Sequence, residues 1–453
     1  MRIAWFTPFA RKSAIGRYSQ SVTNELAKTV QVDLWLADRD DLLDTSLPVI
    51  EYDPALPLDQ WWPRGVYDFA ICHMGNYLDY HRQIFEFSRK VPSIIVLHDY
   101  VMQHFFSSYS HSVLGDVGLH LRRMEQRYGN PAREANALAR AGKALRIWET
   151  EDVVDFPMFE DCVGGALGVV VHSDYLARHV AAVFPGPLRK IHLAYEPHSA
   201  LPVLSRRELN LPEEKLLLFT VGHVNANKRI QSVIQCLADH RDLANQIHYR
   251  ICGHIEPSHR AELEALIGRL GLSETVRLNG QTSDIDVRSC FHWADVCINL
   301  RFPAMEGASA SLAELMLYGK AGIVTDTGVY AEIPNDCVLK VRPDHEVEDL
   351  SRALRLLIES AELRKKLGVA AQRFARENFS PATYAHEMLA FLKEVQEVKP
   401  VLSMLNRTSS ILSEMGAQPG TDIVRTVAEI SKDLFCGDTS AAPWNSSEAH
   451  SRH

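Results

Sequence analysis

The stretch RFPAMEGASASLAELMLYGKAGIVTDTG, residues 301–328, follows one short apolar run, DVCINL (295–300), and contains a second, AGIVTD (321–326). Two such runs separated by a helix-length amphipathic segment predict strand, helix and strand, the unit from which parallel sheets are built. Glu306 and Glu314 stand eight residues apart within it, with Gly307, Ser309 and Ser311 between them. Serine is a favoured N-cap, so a helix is expected to start between the two carboxylates. Positions eight apart lie two turns along nearly the same helix face. A loop carboxylate and a helical one could therefore grip two ends of one polyol, since ionised carboxylates are strong acceptors for hydroxyls. The exposed N–H groups of the helix start would favour a diphosphate. A capped helix with a solvated Glu314 is the plainer reading of the same residues, and the surrounding sequence has to decide.

The same alternation extends in both directions. Upstream, RIAWF (2–6), VDLWLA (32–37), FAICH (69–73), SIIVLH (93–98) and LGVVVHS (167–173) read as strands, with a clear amphipathic helix from Ile15. A second series holds KLLLFTVG (215–222), HYRICG (248–253), VRLNG (276–280), the two runs already named and CVLKV (337–341). Short apolar runs alternating with amphipathic segments predict parallel sheets covered on both faces by helices. The Pro-marked stretch 185–202 reads as the linker. The expectation is an α/β protein of two doubly wound, Rossmann-like domains, 1–190 and 191–379, whose facing strand ends form a ligand cleft. Residues 380–398 have Ser380 as N-cap and Pro381 at the first helical position, so a helix is expected there. Residues 399–435 are expected to add a helical extension, and 437–453 to be disordered.

Candidate chemistry lies at the strand ends. In VGHVNANKRI, Gly222 would let the backbone approach a ligand, with His223, Lys228 and Arg229 following. A lysine just before a helix can meet a phosphate at that helix's N-terminus, although a surface Lys–Arg pair would look the same. No GxxxxGK[ST] loop is present, and the first loop, TPFARKSAIGRY with Gly16, has no GxGxxG, which weighs against a dinucleotide oxidoreductase. His98 and Asp99 end one strand, His73, Gly75 and Asn76 another, and His172 and Ser173 a third. Together they suggest a rim built for a polar ligand, while each alone could be a turn or cap.

Composition narrows the function classes. The chain has 453 residues, 46% of them hydrophobic, and a formal charge of -9, which argues against broad attraction to nucleic acid. Its start lacks a secretory pattern, and its longest apolar stretch, residues 162–171, is too short to span a bilayer. The eight cysteines form no CxxC pair and mostly sit in apolar runs, so a cytoplasmic protein without a disulfide framework is expected. Neither HExxH nor another metal-ligand spacing stands out. The basic segment 121–146 reads as a solvated helical hairpin, or as a surface for the acceptor or for anionic headgroups.

Glu306-Gly307 through Glu314, followed by LMLYGKAGIVTD, resembles the Glu-x7-Glu motif of the retaining, nucleotide-sugar-dependent glycosyltransferases of family 4, which have the GT-B fold. VGHVNANKR, SAIGRY and the HMGN…VLHDYVMQHFF combination add to the resemblance, which covers most of residues 1–396 and looks like a bacterial polysaccharide-assembly branch. The resemblance implies that Glu314 holds the donor ribose, Lys228 neutralises the diphosphate and Glu306 contacts the transferred sugar. It implies that the Gly307–Ser309 backbone helps bind phosphate, that Gly16 admits the donor, and that His98 faces the sugar near the acceptor, with Asn76, Asp99 and His172 on the acceptor side. Relatives often have Arg where this chain has His223, so Arg229 or Arg301 is expected to supply phosphate charge. Neither a metal nor a cofactor beyond the UDP-, GDP- or dTDP-linked co-substrate is implied. The acceptor would be a glycan or lipid-linked glycan and the C-terminal helix would cross back to the first domain; peripheral contact with the inner face of the plasma membrane is the alternative to a solvated hairpin for the basic segment. A nucleotide-sugar 2-epimerase and a non-catalytic partner subunit are alternatives on the same architecture.

Overall fold

The computed structural model describes residues 1–38, 40–197, 201–418 and 420–435; the tail at 437–453, expected to be disordered, lies outside them. Among the described residues thirteen strands form two all-parallel sheets. The first holds β1 (Arg2–Phe6), β2 (Gln31–Leu36), β3 (Val49–Glu51), β4 (Phe69–Met74), β5 (Ile94–Leu97), β6 (Gly168–Val171) and β7 (Leu188–Lys190), in the order β3-β2-β1-β4-β5-β6-β7. The second holds β8 (Leu216–Val221), β9 (Ile247–Cys252), β10 (Val276–Gly280), β11 (Val296–Asn299), β12 (Ala321–Thr325) and β13 (Val338–Val341), in the order β10-β9-β8-β11-β12-β13. In both, the chain reverses its direction of winding beside the first strand, between β1 and β4 and between β8 and β11. Such switch points open a crevice at the carboxyl ends of the strands.

The apolar runs are continuous because helices cover both faces: every residue of β4, β5, β6, β9, β11 and β12 is buried. Trp5 stands in register with Leu34 on one side and Ile71 on the other. Phe6, Phe105 and Phe106 anchor the first core, and Tyr249 and Leu237 belong to the second. Burying each large apolar side chain contributes about 1.5–3 kcal/mol. β3 and β7 escaped the sequence reading because a three-residue edge strand, partly exposed, leaves no apolar run. β7 lies inside the stretch read as linker and pairs Leu188 with Val169. All seven described cysteines are buried and free; Cys436 lies outside the described residues.

The helices include α1 (Ala14–Leu26), α2 (Leu78–Ser88), α3 (Val117–Tyr128), α4 (Asn130–Arg140), α5 (Ile230–Asp239), α6 (Asp284–Trp293), α7 (Ala310–Leu317), α8 (Pro381–Glu414) and α9 (Asp422–Phe435). The basic segment forms the α3–α4 hairpin, turning at Gly129 with φ +67°. The expected helix at 380–398 continues to Glu414, through Pro400. By compactness the chain divides into two units, residues 1–391, which hold both sheets, and residues 392–453. Within the first unit the start of α8 reaches the first domain: the Tyr384 ring lies 5.3 Å from that of Tyr18, and Glu387 pairs with Arg189 at 3.5 Å. The second unit contains the remainder of α8 and the separate helix α9.

Candidate active site

The two sheets meet rim to rim. Gly307 N donates to His98 O at 2.8 Å, and Tyr100 N and Val101 N both donate to Met305 O at 2.9 Å. Asp99 and Glu306 thereby form an antiparallel bridge between the domains. Arg17 on α1 pairs with Asp284 on α6 at 3.0 Å, and Arg229 reaches Glu151 at 3.4 Å. A cavity of about 1190 Å³ remains between the domains, lined by Arg17, Tyr18, Tyr195, Asp284, Ala310 and Glu314.

On the second-domain side, glycine is required where backbones cross. Gly253 (φ +142°) carries no Cβ because one would sit 2.1 Å from Gly222 O, and a Cβ on Gly222 (φ +102°) would meet Lys228 Nζ at 2.8 Å. Lys228 is buried, and its Nζ donates to Val221 O at 2.6 Å. Burial, then the Arg301 charge, holds this ammonium well below the usual lysine range, with Glu306 pulling the other way. Arg301, also buried, directs its Nε to Glu306 Oε1 at 3.0 Å. The same oxygen accepts from the Tyr330 hydroxyl, and Oε2 accepts from Met305 N at 3.1 Å. Glu306 is thus bonded to groups of the second domain in this closed arrangement. Ser309 caps α7, its Oγ accepting from Leu312 N at 3.3 Å, while Ser311 donates to Asn299 Oδ1 at 3.1 Å and accepts from Arg301 Nη2 at 3.4 Å.

Glu314 faces the large cavity. Burial raises its carboxyl to about 7, against a hydrogen bond from Tyr195; Asp284 adds to the rise and Arg17 lowers it. The two glutamates that opened the sequence reading therefore point to different environments. Arg229 and His223 stand apart from this cluster. Arg229, in the left-handed region at φ 56°, brings Nε within 3.0 and 2.9 Å of the two oxygens of Glu346. His223 is exposed and stacks on His254 with ring centroids 5.3 Å apart, and burial with the neighbouring His254 lowers its pKa. The charge of both arginines expected to serve phosphate is directed at a carboxylate here: Arg229 at Glu346, Arg301 at Glu306.

On the first-domain side, Asp99 Oδ2 accepts from Asn76 N at 2.8 Å, and Asn76 Oδ1 accepts from Phe105 N at 2.9 Å. Burial raises the Asp99 carboxyl to about 6. Gly75 lies between: a Cβ there would come 2.8 Å from His81 Nε2 and 3.2 Å from Asp99 Oδ2. Gly16 sits in the first turn of α1, its N donating to Ser13 Oγ at 3.1 Å. A Cβ on it would meet Pro8 O at 2.5 Å, so this glycine serves the packing of its own loop.

His98 belongs to a chain of buried imidazoles. His172 Nδ1 lies 2.8 Å from Ile191 O, which can only accept, so His172 is protonated there and its Nε2 is an acceptor. That nitrogen lies 3.2 Å from His98 Nδ1, which must donate, leaving His98 Nε2 to accept from His73 Nδ1 at 2.9 Å. His73 Nε2 ends the chain, buried and unpartnered. One carbonyl thus fixes three tautomers, and both ring nitrogens of His98 are occupied. The Tyr18 ring packs against all three imidazoles, at 5.7, 5.2 and 5.7 Å from His73, His98 and His172.

Sequence reading missed His81, Tyr18, Arg17, Tyr195, Asp284 and Tyr330. Arg17 and Tyr18 follow Gly16 in the quoted SAIGRY, and their helical phase was the available signal. Tyr195 lies in the linker, where no periodicity marks it. Among the described residues no three His, Cys, Asp or Glu side chains gather as a metal-ligand cluster, and no helix is long and apolar enough to cross a membrane.

Residues 204–374 match the family model described as Glycosyl transferases group 1. No curated protein sequence matches the chain. Among solved structures it is similar to the sucrose-phosphate synthase of Thermosynechococcus elongatus (TM-score 0.60, 15% identity, covering 87% of this chain and 99% of that one). It is similar to a glycosyltransferase of Rickettsia africae (0.59, 14%, 87% and 98%) and to HepE of Anabaena in complex with UDP and glucose (0.56, 17%, 87% and 100%). Likeness over nearly the whole length of each establishes the fold: it is GT-B, and the match to the group 1 model falls within the part that holds the second sheet.

Proposed function

We propose that this protein is a retaining, metal-independent glycosyltransferase that moves a hexosyl group from a nucleoside-diphosphate sugar to a hydroxyl of a glycan or lipid-linked glycan. The observation that carries the reading is the pairing of Lys228, an ammonium buried beside Gly222, with Glu314, which faces the interdomain cavity from a serine-capped helix. Breaking a glycosyl–diphosphate bond places negative charge on the leaving group and positive charge on the ring. Lys228 spends one N–H on Val221 O, so its other donors can meet the diphosphate, and that anion restores the full charge that burial disfavours. Glu314 accepts from the ribose hydroxyls, and the Gly307–Ser309 backbone assists at the phosphate. On the acceptor side, Asp99 and Asn76 form the rim, while His98 acts through its placement, its ring being bonded on both sides. Glu306 contacts the sugar when the Arg301 pair opens, and with the donor bound Arg301 becomes free to face phosphate.

The role fits bacterial surface polysaccharide assembly at the cytoplasmic face of the membrane, a setting that the basic α3–α4 hairpin supports by its suitability for anionic headgroups. HepE, bound to UDP-glucose in one structure, makes UDP-sugars the first donors to try. The test is a panel of UDP-, GDP- and dTDP-sugars, read by thermal stabilisation and by donor hydrolysis. One nucleotide class should stabilise the protein, and Lys228→Ala and Glu314→Ala should each remove the effect. Unchanged donor binding and transfer in both variants would sink the assignment, and C2 inversion of the donor without transfer would identify an epimerase instead.

A further inference from the structure

Apart from the interdomain cleft, a cavity of about 330 Å³ opens on the edge of the second sheet. His248 and Arg250 lie two residues apart on β9, so both project from one face, and both are buried. Arg277 on the edge strand β10 stands in register with Arg250 and is exposed at the mouth. All three side chains line the cavity.

The floor of this cavity is electrostatically incomplete. Arg250 Nη1 donates to Leu209 O at 2.5 Å, its Nε is buried without a partner, and among the described residues no carboxylate pairs with it. His248 Nδ1 is likewise buried and unpartnered. Arg206 and Lys215 add to the positive field, and burial, then Arg250 and Arg277, bring the His248 imidazole down to about 4. A guanidinium taken out of water without a counter-charge is strongly destabilising. Two carboxylates, Asp286 and Glu208, line the cavity and lend it negative charge, but neither pairs with Arg250 and each is hydrogen-bonded to a nearby serine. Asp286 accepts from Ser283 Oγ at 2.7 Å, and Glu208 accepts from Ser205 N at 2.8 Å and Oγ at 2.6 Å. Cys252, next along the same face of β9, has its thiol drawn down by Cys290 and by Arg250, and Glu213 lies 3.8 Å from Arg206.

We propose that this cavity binds a phosphate group, free or on a small phosphomonoester, with Arg250 and His248 at its floor and Arg277 at its mouth. The planar guanidinium fork matches two oxygens of a phosphate. A bound oxyanion supplies the missing counter-charge and an acceptor for Arg250 Nε. The site is distinct from the donor cleft and does not depend on the transfer reaction proposed above.

Isothermal titration calorimetry of the full chain with inorganic phosphate and with glycerol 3-phosphate, at constant ionic strength set with chloride, tests this. A saturable heat is expected that weakens ~10-fold or more in Arg277→Ala, is lost in Arg250→Met, and persists in Lys228→Ala. Preference for the monoester or for free phosphate tells which source fits, and either upholds the site. If Arg250→Met fails to fold by circular dichroism, Arg277→Ala and His248→Gln decide the matter. No saturable heat, unaltered affinity in the folded cavity variants, or disappearance of the heat in Lys228→Ala would overturn the proposal.

Discussion

Moving from pH 7.5 to 5.5 should remove about 5 kcal/mol of stability. Among the described residues six histidines are buried: His73, His81, His98, His120, His172 and His248. Burial is the largest cause in each case; it brings His81, His120, His172 and His248 to about 4, and His73 and His98 well below the usual imidazole range. All six are neutral in the fold throughout this window, while the unfolded chain takes up protons below its ordinary value of about 6.5. A depressed folded pKa means that stability is intact above about 6.5 and is lost as the pH falls below it. At pH 5.5 each group costs about 1.3 kcal/mol, a figure set by the unfolded pKa, so the six cost about 8 kcal/mol. Carboxyls that burial raises work in the opposite direction, Glu160 among them, and the two with large shifts, Asp99 at about 6 and Glu314 at about 7, gain protons in the fold first. They return roughly 2.5 kcal/mol over the same window, leaving a net loss of about 5 kcal/mol, comparable with the whole stability of many domains. Urea unfolding followed by tryptophan fluorescence and circular dichroism at the two pH values measures it. His172→Asn should reduce the pH-dependent loss by about 1.3 kcal/mol, whatever it does to stability at pH 7.5. A net change below about 1 kcal/mol would mean that the imidazoles protonate inside the fold, and the tautomer chain assigned to them would be refuted.

Other outcomes follow from single contacts. Donor kcat/KM should fall about tenfold per pH unit below the Glu314 pKa of about 7, and Glu314→Gln should abolish that limb while lowering the plateau; a limb that persists in the variant assigns it elsewhere. Gly253→Ala should cost more than about 3 kcal/mol in urea unfolding, since its Cβ would lie 2.1 Å from Gly222 O in a backbone conformation at φ +142° that side chains rarely adopt. Arg17→Ala should cost less than about 1 kcal/mol, because the Arg17 and Asp284 side chains are 39% and 51% exposed and screened by water. A larger loss by calorimetry would show that this interdomain pair closes the cleft more firmly than a surface ion pair can.

The fold was legible because a buried parallel strand must be apolar on both faces, and FAIC (69–72) and AGIV (321–324) are. β3 and β7 were not, since three partly exposed residues leave no apolar run. Ser309 and Ser311 were both recognisable as cap types, and the structure makes Ser309 the cap. His98 stood out at a strand end, but the chain through His73 and His172 joins residues 25 and 74 positions away and depends on the carbonyl of Ile191 in the linker. No local pattern encodes such a meeting.

The sequence alone determined two doubly wound sheets, because periodicity and turn chemistry act over a few residues, whereas the stretch read as linker proved to hold the edge strand β7. Tertiary structure alone decided what those residues face. Glu306 bonds to Arg301 and Tyr330 while Glu314 faces the cavity, and Arg229 is drawn to Glu346. Lys228 and Arg250 are buried cations because of what packs over them. Side-chain direction, desolvation and charge pairing depend on partners distant in sequence, and only the assembled sheets bring those partners within range.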